Sequence, residues 1–143
     1  MSALALTAPA QLRRVALIVG LTALAYALAG WVSLKLAAYV ANVVAAVWLA
    51  AGIGAVASLR FGMAGVAGVL LGSLALYSRI LPPEDALRLA LGATAGATIM
   101  GYLPRYLPPF SPTLDYVSSV AKFALVAAPL GAAVSAAAGV SSR

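Results

Sequence analysis

The sequence contains no cysteine and no histidine, and only three acidic residues among its 143. The absence of cysteine excludes disulfides, thiol redox chemistry and thiolate metal sites. The absence of histidine removes the commonest proton shuttle and the commonest metal ligand. We therefore predict a protein without a cofactor and without a metal site.

The acidic residues do not suggest a catalytic site either. Glu84 and Asp85 are adjacent, and Asp115 lies well apart from them. Adjacent carboxylates cannot flank a substrate from two sides as an acid–base pair. A serine nucleophile would lack its usual histidine partner, and no glycine-rich phosphate loop follows a predicted strand. We therefore predict that the chain is not an enzyme.

Charged residues are scarce, and long uncharged runs separate them. Only 8% of residues are charged, whereas 64% are hydrophobic. A bilayer core roughly 30 Å thick is crossed by about 20 helical residues, and several runs reach or approach that length. We predict an all-α fold: a polytopic transmembrane helical bundle of four to five spanning helices, forming a single integral membrane domain over residues 1–143. The predicted spans are residues 15–34, 36–59, 61–78, 86–103 and 116–140.

Prolines mark the boundaries of the later helices. Pro82 and Pro83 predict a helix start that places Glu84 and Asp85 in the first turn, where acids favour the positive end of the helix dipole. Pro129 predicts a kink in the last helix, because proline removes a backbone donor. The first run is longer than the core of a secretory signal, so we interpret it as a retained span.

Nine lysines and arginines give a net charge of +6, and most of them stand singly at the ends of apolar runs. Cations in these positions can contact lipid phosphate headgroups. A protein that binds nucleic acid would instead gather them on one basic face with aromatic side chains between them. We expect the lipid bilayer as a partner and no nucleic acid. With five spans and a cytoplasmic N-terminus, five cations face the cytoplasm (Arg13, Arg14, Arg60, Arg105, Lys122) and four face outward (Lys35, Arg79, Arg88, Arg143). This slight bias favours the cytoplasmic N-terminus.

Small residues recur at helical spacing in three places. The candidate helix-packing pairs are Gly68 with Gly72, Gly92 with Gly96, and Ser135 with Gly139. Such pairs let helix backbones approach closely in lipid. Packing inside the chain is the favoured interpretation, and packing against another chain or chance occurrence are the alternatives.

Three polar side chains are candidates for contacts at membrane depth: Asn42, Thr94 and Thr98. An amide in lipid is costly unless it is paired, so Asn42 should contact a partner helix, the interface or a ligand. Thr94 and Thr98 share a face with the glycines of their helix. Threonines in such positions more often bond to their own helix than to a ligand.

Several short segments together resemble the first half of the bacterial membrane-associated sensor domain family of the first type. They are Asn42 with Trp48, Gly52-Ile53, Arg60, residues 68–73, residues 101–103 with Arg105, Leu114-Asp115, Leu130-Gly131, and Ser135-Ala136 with Gly139. Leu49 replaces a proline usual in the family, and Val66-Ala67 replace a Trp-Pro pair. The family module is longer and is normally fused to a kinase or cyclic-dinucleotide output domain. The resemblance implies a sensory membrane module of the bacterial inner membrane, here without an output domain.

Two functions remain open. The first is a non-catalytic, sensor-like subunit that acts through helix–helix interaction in a larger membrane assembly, with other membrane proteins or with copies of itself. The second is a component that binds or transports a small molecule. A transport protein usually has polar residues that face its interior near the middle of the bilayer, and this sequence has few such residues. The sequence therefore favours the interaction function.

Overall fold

The computed structural model describes residues 2–39, 49–111 and 113–141, and within these ranges every regular element is helical. The α-helices are α1 (Ser2–Tyr39), α2 (Leu49–Phe61), α3 (Met63–Tyr77), α4 (Pro83–Tyr102), α5 (Val117–Lys122) and α6 (Ala128–Ser141). A 3₁₀ turn at Leu103–Tyr106 follows α4, and a π-helical stretch at Phe123–Ala127 joins α5 to α6. The predicted all-α class is confirmed for the described residues.

Three helical segments of the described chain are long and apolar enough to cross a membrane: Ala8–Tyr39, Pro83–Tyr106 and Val117–Ser141. The apolar helices α2 and α3 have only 13 and 15 residues. At 1.5 Å per residue they extend about 20 Å and about 22 Å, less than a bilayer core of roughly 30 Å. Helix length alone therefore supports three spans, fewer than the predicted four to five.

Helix α1 continues past Lys35, where the first predicted span ends and the second begins. The segment from Leu34 to Tyr39 contains no proline or glycine, and one charged residue does not interrupt a helical backbone. The Lys35 ammonium lies 5.1 Å from the centre of the Trp31 ring, one turn earlier on the same helix. Residues 36–39 thus belong to the first helix, and the described part of α2 covers Leu49–Phe61.

The hairpin of α2 and α3 turns at a single residue, Gly62. Its φ of 58° lies in the region that glycine adopts at least cost. The Gly62 amide donates to the Ser58 carbonyl at 3.0 Å, which closes the end of α2. A side chain at Gly65 would overlap the carbonyl of Ala57, so the two helices touch backbone to backbone beside the turn.

Close contacts define the direction of each helix. Gly68 lies against Thr22 and Gly72 against Ala23, so α3 runs parallel to α1. Helix α2 packs against both α1 and α3 and runs antiparallel to them. Its first amide, at Leu49, donates to the Ser33 hydroxyl near the end of α1, at 3.1 Å.

Helix α4 runs parallel to α2 and antiparallel to α6. Gly54 lies against Ala97 and Ser58 against Gly101, which sets the α2–α4 direction. Gly131, near the start of α6, lies against Gly96 and Met100 in the second half of α4. The five long segments therefore alternate in direction along the chain.

The prolines that the sequence associated with the later helices lie near the starts of α4 and α6. Pro83 is the first residue of α4 and Glu84 and Asp85 lie in its first turn, which confirms the predicted helix start. The π-helical stretch ends directly before Ala128 and Pro129, and the Ala128 amide donates to the Phe123 carbonyl. Because Pro129 has no amide hydrogen, a wider turn immediately before it loses fewer backbone bonds.

The core is built mostly from small residues. One cluster comprises Tyr26, Ala50, Val69 and Ala97, and the other comprises Leu76, Tyr77, Ala86 and Ala90. Large apolar side chains instead face outward along α1, as at Leu21, Leu24 and Leu28, which are 58–65% exposed. Lipid is the solvent compatible with such a surface, since it solvates leucine as well as a protein core does.

Candidate functional site

The first pair of predicted packing glycines lies between α3 and α1 of this same chain. A Cβ on Gly68 would lie 2.5 Å from the Thr22 Cβ. A Cβ on Gly72 would lie 2.6 Å from the carbonyl oxygen of Ala23. The absence of side chains at both positions is what lets α3 approach α1 this closely.

The second and third pairs meet each other between α4 and α6. A Cβ on Gly96 would lie 2.6 Å from the Gly131 carbonyl oxygen. The Ser135 hydroxyl donates to the Gly92 carbonyl at 3.1 Å, a hydrogen bond that joins the two helices. A Cβ on Gly139 would lie 3.6 Å from a methyl carbon of Leu89 in α4, an ordinary van der Waals contact. These faces are occupied within the chain.

The predicted polar contacts have local partners where the structure describes them. Thr94 Oγ1 donates to the Ala90 carbonyl at 2.7 Å, and Thr98 Oγ1 donates to the Thr94 carbonyl at 2.8 Å. Both bonds join residues four apart on α4, the pattern expected of threonine in a helix. Asn42 lies outside the described residues.

A cavity of about 450 Å³ lies where five of the helices meet. Its lining residues are Tyr26 of α1, Ala51 and Gly54 of α2, Tyr77 of α3, Leu89, Ala93, Ala97 and Met100 of α4, and Ala132, Ser135 and Ala136 of α6. Most of these residues are alanine or glycine. Their short side chains leave the space that larger side chains would fill.

The cavity is elongated along α4 and opens along α6. From Leu89 to Met100 its lining extends about 16 Å at 1.5 Å per residue. Ala132 and Ala136 are themselves exposed, so the cavity reaches the outer surface of the bundle beside α6. A molecule dissolved in lipid could enter from that side.

Two tyrosines supply most of the polar character of the cavity. Tyr26 is 2% exposed and Tyr77 is 9% exposed, and their side chains lie close to each other in the cavity wall. Along α1, Tyr26 lies about 18 Å past Arg14 and about 13 Å before Lys35 at 1.5 Å per residue. Tyr26 is therefore far from the charged residues at either end of α1, and no charged side chain is among the described lining residues.

Cations at one end of the bundle bind backbone carbonyls. The Arg105 guanidinium donates to the Leu59 carbonyl at 2.8 Å, one of the last carbonyls of α2. The Lys122 ammonium donates to the carbonyls of Leu107 and Pro109 at 3.1 and 2.8 Å. These side chains hold the loop between α4 and α5 against the rest of the bundle.

Sequence reasoning did not select either cavity tyrosine. A usable signal was present, because Tyr26 stands in the middle of the uncharged run 15–34 rather than at its edge. A buried phenol at that depth needs a hydrogen-bond partner, which itself points to an interior polar position.

Comparison with protein-family models, with curated proteins and with solved structures gives no match for this chain. The resemblance to the sensor domains therefore rests on the sequence segments alone.

The geometry of the cavity suits binding. Its volume lies within the range of roughly 300–1,000 Å³ for small-molecule sites, and such sites are mostly apolar with a few convergent polar groups. Among the described residues no group of three or more acidic side chains is placed to hold a metal ion. The site can solvate an apolar body and offer hydrogen bonds to an oxygen atom of the ligand.

Proposed function

We propose that this protein is a non-catalytic integral membrane protein that binds a small apolar molecule in the cavity between α2, α4 and α6. The observation that carries the proposal is a mostly apolar cavity of about 450 Å³ whose wall contains two buried tyrosines, Tyr26 and Tyr77. The side chains around an empty apolar cavity lack packing contacts on one side. An empty cavity of this size therefore lowers the stability of the bundle. A ligand that fills the space restores those contacts.

The small-residue pairs favour this function over the interaction function that the sequence favoured. Gly68 and Gly72 are in contact with α1, and Gly92 and Gly96 are in contact with α6. A partner chain cannot use a face that is already covered. The close approach of these helices instead builds the scaffold that surrounds the cavity.

A sensor-like subunit of a larger membrane assembly is the second candidate function. The observation in its favour is that only 11% of the apolar window within Val117–Ser141 consists of buried residues, and the segment packs chiefly on α4. Leu125 and Val140 are 76% and 73% exposed. Other membrane proteins or a second copy of the chain could cover that face, and ligand binding could then be signalled through α6.

We also propose that all five alternating segments cross the bacterial inner membrane with the N-terminus in the cytoplasm. The alternating directions support this topology, since they collect Arg14, Arg60 and Arg105 at one end and Lys35 and Arg88 at the other. The more cationic end then faces the cytoplasm under the positive-inside rule. Flanking arginines can extend along the short hairpin helices to reach the headgroups.

Single-cysteine labelling tests this topology cleanly, because the natural chain has no cysteine. Cysteines replacing the exposed residues Gln11 and Met63 should react with an impermeant maleimide only after the membrane is broken. Cysteines replacing Tyr39 and Ile80 should react in intact spheroplasts. If Met63→Cys and Ile80→Cys react from the same side, α3 does not cross the membrane.

Photolabelling tests the proposed binding function. We would reconstitute the full chain in phosphatidylcholine nanodiscs with a diazirine-bearing alkane and map the adducts by mass spectrometry. Adducts should concentrate on cavity residues of α4 and α6 relative to outward residues of α1. Ala93→Leu, which fills the cavity, should lower cavity labelling several-fold, and the matched control Ala95→Leu on the exposed face of α4 should not. Equal labelling of cavity and outer surface, or of the two variants, would contradict the proposal.

A further inference from the structure

The tyrosine pair in the cavity wall makes the site selective for one kind of apolar molecule. The site is otherwise lined by alanine, glycine, leucine and methionine, apart from the Ser135 hydroxyl. Ser135 is held by the Gly92 carbonyl of the neighbouring helix. The phenols of Tyr26 and Tyr77 are therefore the polar groups best placed to recognise a ligand.

The two phenols lie on two helices that run in parallel. Tyr26 comes from the middle of α1 and Tyr77 from the last residue of α3. A phenolic oxygen can donate one hydrogen bond and accept others. A hydroxyl or carbonyl oxygen of a ligand can form a hydrogen bond with one of these tyrosine hydroxyls. In a medium without water, such a bond discriminates strongly against ligands that lack the oxygen.

The charge of the ligand follows from the surroundings. No cation or carboxylate is among the described residues of the lining. The nearest charged residues in sequence are Arg79, two positions after Tyr77, and Arg88, directly before Leu89. Moving an unpaired charge into such a place is far more costly than moving a hydroxyl there. An uncharged ligand is therefore favoured over an ionised fatty acid or amine.

We propose that the cavity binds an uncharged molecule with a long hydrocarbon body and one hydroxyl or carbonyl oxygen, recognised by the hydroxyls of Tyr26 and Tyr77. The elongated shape, about 16 Å along α4, accepts a chain or a narrow fused ring system. The opening beside α6 admits it sideways from the lipid. This assignment rests on the binding function proposed above and adds the chemical class of its ligand.

Three photoreactive probes of equal chain length test the assignment: a diazirine alcohol, the corresponding alkane and the corresponding fatty acid. In nanodiscs at pH 8, the wild-type chain should give about five-fold more cavity adducts with the alcohol than with the alkane, the effect of one net hydrogen bond. The fatty acid should label the cavity least. The double variant Y26F/Y77F should lower alcohol labelling to the alkane level and leave alkane labelling unchanged.

Alkane labelling of the double variant also reports whether the cavity survives the substitutions. If that labelling is lost, the single variants Tyr26→Phe and Tyr77→Phe replace the double variant, and each should reduce the preference for the alcohol. Tyr106→Phe, at an exposed tyrosine outside the cavity, is the matched control and should keep the full preference.

The outcomes separate this assignment from the binding function on which it rests. Equal cavity labelling by alcohol and alkane in the wild type would overturn the ligand class and leave the binding function standing. The ligand class would also be overturned if the fatty acid labelled the cavity more than the alcohol did. The same holds if Y26F/Y77F, or both single variants, kept the full preference for the alcohol over the alkane. No enrichment in the cavity with any probe would overturn both.

Discussion

Gly72→Ala should destabilise the fold although alanine is the better helix former. The new Cβ would lie 2.6 Å from the Ala23 carbonyl oxygen and 3.0 Å from the Tyr26 Cβ. The nearest atom belongs to the backbone of α1, so relief requires α1 to move as a whole. Overpacking of this kind costs about 1–3 kcal/mol, whereas replacing glycine by alanine within a helix gains about 0.5–1 kcal/mol.

The expected net loss for Gly72→Ala is therefore about 1–2 kcal/mol. Gly20→Ala on α1 is the matched control, because a Cβ there meets nothing within 4 Å. It should be neutral or stabilising by up to about 1 kcal/mol. Unfolding by sodium dodecyl sulfate in mixed micelles, followed by tryptophan fluorescence, compares the two. A Gly72→Ala protein at least as stable as the wild type would refute the proposed α1–α3 contact.

Two further substitutions test the contacts that hold the bundle together. Arg105→Leu should lower the free energy of unfolding by about 1–3 kcal/mol, because the Leu59 carbonyl loses a charged donor, and Arg105→Lys should restore part of the loss. No difference between Leu and Lys at this position would show that the bond contributes nothing. Ser135→Ala should cost only about 0.6 kcal/mol in the same titration, since it removes one interhelical bond within lipid to Gly92. A loss several times larger would mean that Ser135 does more than make that bond.

The helical class and some helix boundaries could be predicted because they depend on local chemistry. Long uncharged runs leave helices as the natural solution in lipid, and the start of α4 follows from two prolines and two acids. The extent of α1 could not be predicted by the same reasoning. A lone lysine was taken as a boundary, yet one charged side chain does not interrupt a helical backbone, and no proline or glycine lies between Leu34 and Tyr39.

The pairing of helices and the cavity could not be predicted, since both depend on contacts between distant residues. The small residues of α3 and α4 were identified as packing positions, but their spacing does not reveal which helix covers them. The turn at Gly62 joins described helices of 13 and 15 residues, which are shorter than the predicted spans 36–59 and 61–78. Tyr26 and Tyr77 are 51 positions apart, and only the parallel arrangement of α1 and α3 brings their hydroxyls together.

Native mass spectrometry of the purified protein tests the central claim, a ligand-filled cavity, most directly. The wild-type chain, extracted from its own membrane in mild detergent, should carry an uncharged apolar molecule at about one copy per chain. Ala93→Leu should carry markedly less, and Ala95→Leu should match the wild type. Wild-type protein without any bound molecule, or equal occupancy in Ala93→Leu and the wild type, would contradict the claim.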